Sequence, residues 1–370
     1  MNDAVDALVV GAGIVGLAVA EALAQRGRSV IVVERHAGVA RETSSRNSQV
    51  IHAGLYYPAG SSKARLCVAG REALYARCAR EGIPHRKVGK LVVAVEPGEV
   101  ATLERLRVLG TENGAPGLAL LGADTVRRRA PDVYAVAALD SPATGIVDVH
   151  ALALAFAAGA ERHGATLAYG REVVAIERVT PGYRVVARAA SGVLESIRAA
   201  AVVNAAGLAS DAVAALAGID VDARGLRLHP CKGDYFALAP AAPLRFEHLI
   251  YPVPGVAGLG VHVTLDLGGR VRFGPDATYV ERLDYAVDAA KAPAFAAAAR
   301  RYLPALRDAW LTPDQAGIRP KLQGPGDAFR DFVIEEESAS GLPGFVNLIG
   351  IESPGLTAAP AIAERVVSLL

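Results

Sequence analysis

The chain begins with alternating apolar runs and small-residue turns. Ala7–Val10 is short and wholly apolar, the pattern of a buried strand. Gly11, Gly13 and Gly16 follow in G-x-G-x-x-G spacing. An apolar-rich stretch to about Arg26 then predicts a helix, with Gly27 where helices commonly stop. A second strand, Ser29–Val33, delivers Glu34. Beyond this unit, Lys90–Glu96 reads as strand and Val100–Val108 as helix. The three arginines of TVRRRAP read as a solvated helix end stopped by Pro131. After Gly145 the α/β rhythm returns. Asp148 caps a helix from about His150 to His163, followed by Gly164 and by strands Thr166–Tyr169 and Glu172–Ile176. A meander from Tyr183 ends in a buried strand, the small-residue turn Asn204–Gly207 and a helix from Leu208. From Leu226 the character changes. HPCKGDYFAL and LIYPV are strand-like, and VHVTLDLGGRVRFG places Gly268–Gly269 between two β-runs, a hairpin signature. The last stretch is a strand, a Pro–Gly turn and an apolar helix.

This succession predicts an α/β fold, Rossmann-like, with an inserted antiparallel-sheet (α+β) domain. At 370 residues the chain exceeds what one core usually serves. The expected division gives residues 1–85, 145–220 and 325–370 to the nucleotide-binding domain, and 86–144 and 221–324 to a substrate-binding domain. Apolar residues make up 52% of the chain, and 39 Lys+Arg nearly balance 38 Asp+Glu. That balance gives no argument for a nucleic-acid partner, so any anion-binding site is local. Three cysteines without a C-x-x-C spacing read as buried thiols in a reducing compartment, with no metal site expected. The apolar run Ala7–Ala20 follows an acidic start, MNDAVD, unlike a secretory signal. No run approaches the ~18 residues of a membrane span.

The glycines have separate tasks: Gly11 permits a tight turn, Gly13 close approach of backbone to a pyrophosphate, and Gly16 close helix–strand packing. The helix N-terminus, with Ile14 and Val15, offers N–H groups and a positive dipole end to the diphosphate. Glu34 can accept hydrogen bonds from ribose hydroxyls. Strand, turn, helix and acidic residue in register predict an adenine dinucleotide. A single fingerprint disfavours a second nucleotide domain for a nicotinamide. A nicotinamide enzyme would also leave TSSRNSQVIHAGLYY, Thr43–Tyr57, without a role.

The order of these segments resembles FAD-dependent oxidoreductases of the D-amino-acid-oxidase and glycerol-3-phosphate-dehydrogenase type. Within them, NSQVIHAGLYY, KARLCVAGREALYARC, VGKLVVAVE, SPATGIVDVHAL, GLGVHVTLDLGGRVRFGPDA and DFVIE are similar to L-2-hydroxyglutarate dehydrogenases or oxidases. The resemblance spans nearly the whole chain. It implies FAD as cofactor, with Glu34 and Arg35 at the adenosine ribose and Val174 at the adenine. Ala206 and Gly207 fall at the pyrophosphate. Thr43, Ser44, Ser45, Asn47 and Ser48 fall between pyrophosphate and flavin ring. Gly317 and the segment Gly350, Glu352, Ser353, Gly355, Leu356 and Thr357 fall around the ring. It also implies oxidation of a small L-2-hydroxy acid. There are departures: GIESPGLT replaces the 2-hydroxyglutarate enzymes' NAPSPAAT, and IRPK their VRAQ. Tyr56 stands where the glycerol-phosphate enzymes carry the arginine of HGGLRY, and Glu352–Ser353 where GGKLTT has a lysine. Arg319 and Arg330 match arginines of that family's substrate site.

Flavin oxidation of a hydroxy acid needs a base for the hydroxyl proton and cations for the carboxylate. His52 and His262 are the candidate bases, and His52 is also a candidate contact to the flavin. Arg319 is the first candidate for the carboxylate, since a planar guanidinium binds it bidentately. Lys232, Tyr235, Tyr251, Arg330 and Tyr56 are further substrate candidates. An amino-acid or amine oxidase and a glycerol-3-phosphate dehydrogenase are the rival activities, and a non-enzymatic dinucleotide-binding module is the rival class. The electron acceptor is open among oxygen, a quinone and a protein. The expected location is cytoplasmic, with peripheral contact at the inner face of a membrane as the alternative.

Overall fold

A computed structural model describes residues 4–255 and 260–370. Met1–Asp3, from the acidic start, and Gly258–Leu259, from the GLGVHVT motif, lie outside the described residues. The first sheet is eight-stranded and centred on Ala4–Val10. That strand runs parallel to Val30–Glu34 on one side and to Leu194–Asn204 on the other, with Thr166–Tyr169 and Leu342–Ile349 extending the parallel array outward. Successive side chains of the central strand face opposite ways, and both faces are covered. Ala7 and Val9 pack against the helices Ile14–Ala24, Val149–Arg162 and Gly355–Leu369. Leu8 and Val10 pack with Val213 and Ala214 of the short helix Ser210–Leu216 and with Val185 of an antiparallel ribbon.

The second sheet is nine-stranded. Lys90–Ala94 lies between Leu249–Pro252, parallel, and Ala137–Ser141, antiparallel. His229–Leu238 pairs antiparallel with Leu311–Lys321 along nearly its whole length. The hairpin at Gly268–Gly269 is present, with strands Val263–Leu265 and Val271–Phe273. A small third sheet of Val50–Ile51, His85–Arg86 and Gly145–Val147 lies between the larger two in the chain order.

Most expected elements appear within a few residues of their predicted bounds. The first helix ends at Ala24 rather than Arg26, and the helix expected from Leu208 starts as a 3-10 turn, Gly207–Ala209. Two elements gave no clear signal. The helix Ser62–Glu81 buries Lys63, Arg71 and Arg77, so its charged residues do not mark a solvent face. Arg77 is paired with Glu21 of the first helix and lies over the Phe156 ring, which ties three helices together. The strand Leu311–Lys321 contains two prolines, tolerable because it pairs on one side only.

Gly70 sets the crossing of Ser62–Glu81 over Gly355–Leu369: a Cβ there would stand 2.3 Å from the Thr357 carbonyl oxygen. Gly70→Ala should therefore cost about 1–3 kcal/mol by chemical denaturation. An unchanged midpoint would show that the helices can move apart freely.

Candidate functional site

Two cavities open at the carboxyl ends of the parallel strands, where ligands bind in open α/β sheets. The larger, about 550 Å³, is bordered by Gly11, Glu34, Arg35, Val174 and Ala206. The smaller, about 230 Å³, lies between His52, the loop Ile351–Leu356 and the second sheet's Tyr235, Tyr251, His262 and Arg319. Gly13, Thr43, Ser44, Ala205 and Gly207 border both, so the two form one elongated groove.

The dinucleotide turn is built by backbone proximity. Gly11 has φ +104, and a Cβ there would stand 2.7 Å from the Ala205 carbonyl oxygen. A Cβ on Gly16 would stand 2.1 Å from the Gly11 oxygen, so Gly16 serves packing and lies behind the groove. The first helix starts at Ile14 without a side-chain cap, at the junction of the cavities, together with Val15. Glu34 accepts the Ala12 N–H at 2.7 Å and the His36 N–H at 2.8 Å, so this carboxylate shapes the turn while lining the larger cavity. Arg35 is paired with Glu42 on the rim. Val174 sits where the ladder register slips between Val173 and Ala175. An unpaired backbone position there suits an edge-on contact with a base.

The polar strip holds its own shape. The Thr43 hydroxyl donates to the Ile318 carbonyl at 3.0 Å, and Ser44 Oγ accepts the Ile14 N–H at 3.0 Å. The Asn47 amide donates to the Ser44 carbonyl at 2.7 Å and accepts the Gln49 N–H at 2.8 Å. Ser48 Oγ lies 2.9 Å from the Tyr235 hydroxyl. Ser45 is exposed, donates to the Glu42 carbonyl and borders neither cavity. Gly317 lets the second sheet touch this strip, since a Cβ would stand 2.0 Å from the Arg46 carbonyl oxygen.

The far end of the groove is framed by the C-terminal helix, whose uncapped N-terminus begins at Gly355 and Leu356. Its first-turn N–H groups and dipole favour negative charge there. Glu352 lies between Lys63 at 3.0 Å and Lys321 at 3.6 Å. Gly350, at φ +72, turns the chain behind this loop, and buried Thr357 accepts the His52 N–H at 3.0 Å. His52 Nε2 lies 3.2 Å from Ser353 Oγ, with the donor set by the tautomer, and Ser353 Oγ lies 3.4 Å from the Tyr57 hydroxyl. Burial, with the Lys90 ammonium nearby, pushes the His52 imidazole down from 6.5 to about 3. It is therefore a neutral acceptor at working pH.

His262 stacks on Tyr251 with centroids 3.6 Å apart and planes 10° apart. Arg319 donates to the Asp276 carbonyl at 3.2 Å and 3.3 Å, and no carboxylate among the described residues forms an ion pair with it. Its charge thus remains available to the cavity. Lys232 donates to the Ala286 carbonyl and Arg330 to the Gly225 carbonyl, and the structure brings neither to the cavities. Tyr56 lies behind Tyr251, beside the buried Lys90. Lys90 itself gave no signal as a site residue, because a lysine opening a strand reads as a solvated end.

Two adjoining cavities, a dinucleotide turn closed by glycines and two helix N-termini opening on them fit a flavin adenine dinucleotide. Fold and groove are those of a dinucleotide-dependent oxidoreductase, with a second sheet bordering the smaller cavity. The family described as FAD dependent oxidoreductase matches residues 6–369, and the chain belongs to it. The L-2-hydroxyglutarate dehydrogenase, mitochondrial, of Arabidopsis thaliana is 40% identical over 412 residues, 99% of this chain and 83% of that protein. A glycerol 3-phosphate dehydrogenase of Caloramator mitchellensis is 30% identical, covering 99% of this chain and 73% of that protein. Among solved structures, the dithionite-reduced L-alpha-glycerophosphate oxidase of Mycoplasma pneumoniae with FAD bound superimposes with a TM-score of 0.87 at 27% identity, over 99% of this chain and 94% of that one.

Because the folded state holds His52 below its ordinary value, the unfolded chain takes up that proton first. Stability from this group is thus lost as pH falls from about 6.5 towards 3. The His52 ring resonances should keep their neutral positions between pH 8 and 5, and a titration near 6.5 would contradict this burial. Gly317→Ala should push the strip away from the second sheet and weaken FAD retention about 10-fold or more, read by equilibrium dialysis of the cofactor.

Proposed function

We propose that this FAD-dependent enzyme oxidises a small L-2-hydroxy acid of the 2-hydroxyglutarate kind to the 2-oxo acid. The observation that carries the reading is a neutral imidazole, His52, bordering the same small cavity as Arg319, which has no carboxylate partner among the described residues. The 40% identity to a protein named L-2-hydroxyglutarate dehydrogenase supports it.

Arg319 binds the substrate's C1 carboxylate and so orients C2. His52 Nε2 takes the C2 hydroxyl proton as the C2–H bond breaks. The hydrogen leaves C2 with its electron pair, and the C–O bond becomes a carbonyl. FAD, when bound, supplies the acceptor for that hydride. The His52–Ser353–Tyr57 chain then offers the proton a route away from the base. Uncapped N–H groups of the C-terminal helix, with Lys63 and Lys321 beside Glu352, hold a positive potential at the cavity end where negative charge must be accommodated. Tyr235, Tyr251 and stacked His262 close the opposite side and exclude water.

Oxidation of glycerol 3-phosphate is the second reading, favoured by the Caloramator relative and the Mycoplasma structure. Against it, identity to the Caloramator protein is 30%, below the 40% to the Arabidopsis one. No helix among the described residues is long and apolar enough to cross a membrane. The acceptor is read from reoxidation of the reduced enzyme by air, a soluble quinone or an electron-transfer protein. A quinone preference, with binding to lipid vesicles, would indicate a peripheral membrane site over a cytoplasmic one.

In anaerobic mixing, L-2-hydroxyglutarate should bleach the flavin absorbance, and His52→Asn should slow bleaching about 100-fold or more. Bleaching only by glycerol 3-phosphate or by an amino acid would sink this reading. Unchanged bleaching in His52→Asn would transfer the base role to His262.

A further inference from the structure

Arg319 leaves the strand Leu311–Lys321 opposite Cys231 and lies against Gly233 of the neighbouring strand. A Cβ on Gly233 would stand 2.9 Å from Arg319 Nη2 and 2.9 Å from the Asp276 carbonyl oxygen, so guanidinium and carbonyl use the space a side chain would fill. Asp276 is itself fixed through its side chain. Its Oδ1 accepts the Asp234 N–H at 2.7 Å, and its Oδ2 accepts from Lys291 Nζ at 2.9 Å. Lys291 closes the 3-10 turn Ala289–Lys291 and also donates to Asp234 Oδ2 at 2.6 Å. Asp234 is fully buried, and its Oδ1 accepts no hydrogen bond among the described residues. Lys232 Nζ stands 3.6 Å from that oxygen while donating to the Ala286 carbonyl.

Two carboxylates and three cations thus meet behind the smaller cavity, and their pairing decides which cation is left over. Lys291 bridges both carboxylates, and Lys232 adds to one of them. Of the five groups only Arg319 borders the cavity. A buried carboxylate stripped of its cation is costly, so it draws in whichever cation remains within reach. For Asp276 that cation is Arg319, already bound to the carbonyl of the same residue.

We propose that Lys291 is a positioning residue for the substrate: by neutralising Asp234 and Asp276 it keeps the Arg319 guanidinium unpaired at the cavity wall. The inference rests on the function proposed above for the carboxylate that Arg319 binds. Without the Lys291 ammonium, the Asp276 carboxylate competes with the substrate for Arg319. Lys291 borders neither cavity, so its loss weakens binding of substrate and transition state alike. The signature of such a loss is a raised KM at a nearly level kcat.

The test uses the FAD-loaded enzyme with Lys291→Met, Lys291→Arg and the double variant Lys291→Met/Asp276→Asn. Butanoate, which carries a carboxylate but no hydroxyl to oxidise, is titrated by its perturbation of the flavin spectrum. L-2-Hydroxyglutarate is followed in turnover. Lys291→Met should weaken butanoate about 10-fold and raise KM by a similar factor, with kcat changed less than about 3-fold. Lys291→Arg should stay within about 3-fold of the unaltered enzyme on both counts. The double variant should recover most of the lost affinity, because an amide at Asp276 no longer competes for Arg319 and Lys232 remains with Asp234. A merely structural Lys291 predicts the reverse, since the double variant dismantles more of the network and should be the weaker binder. Unchanged butanoate affinity in Lys291→Met, or no recovery in the double variant, overturns the proposal. If Lys291→Met does not fold, the double variant decides: near-normal butanoate affinity supports the proposal, and a loss of about 10-fold overturns it. Failure of the parent reading looks different, because L-2-hydroxyglutarate would then leave the flavin of the unaltered enzyme oxidised.

Discussion

The close contact of the strip Thr43–His52 with the second sheet and with two helices that cover the first is the constraint on which the rest of the site depends. At one end Ser44 Oγ, from a distant part of the chain, accepts the Ile14 N–H at the start of the dinucleotide-turn helix. In the middle, Gly317 allows a strand of the second sheet to lie against the Arg46 carbonyl, and Thr43 donates to Ile318 on that same strand. At the far end Thr357, on the C-terminal helix, accepts the His52 N–H. The strip therefore sets the distance between the sheets and divides the groove into a large and a small chamber. Its hydroxyls and amide hold it in shape against the protein. What it offers a cofactor is a preformed wall, and a wall that is already ordered costs little more to order on binding.

Desolvation governs the chemistry of the small chamber. His52 and Lys90 are kept away from water, so their charge states depart from those of free side chains. His52 stays neutral and can accept a proton, while Arg319 beside it has no carboxylate partner among the described residues. Lys90, buried between aromatic rings, sits near its own titration point. A chamber with a neutral base and surplus positive charge is suited to an anionic substrate that must lose a proton and a hydride. The same balance explains why Glu352 is held between two lysines: a bare carboxylate on that wall would oppose both substrate and reduced cofactor.

Much of the fold was legible because its signals are local. The run Ala7–Val10, the glycine spacing and Glu34 identify a dinucleotide unit, since turn geometry and strand burial depend on neighbours in the chain. The Gly268–Gly269 hairpin and the Asp148 cap are of the same kind. The helix Ser62–Glu81 was hidden because buried Lys63 and Arg77 pair with Glu352 and Glu21, far away in the chain, which blurs the periodicity a solvent-facing helix would show. The strand Leu311–Lys321 was hidden by its prolines, which only an edge position tolerates.

For the site, the sequence by itself determined the cofactor class and brought forward His52, His262 and Arg319 by residue type and segment. Only the tertiary structure decided which charges remain free. Lys232 and Arg330 look like Arg319 on paper, yet they donate to distant carbonyls at Ala286 and Gly225 and stand clear of the chamber. Lys90 looks like an ordinary strand end, yet it is buried against Tyr56 and Tyr251 and forms no ion pair among the described residues. Residue type sets which charges a chain can carry. Whether a charge is neutralised, solvated or left for a ligand depends on groups tens or hundreds of residues away, and these meet only when the two sheets close on the strip.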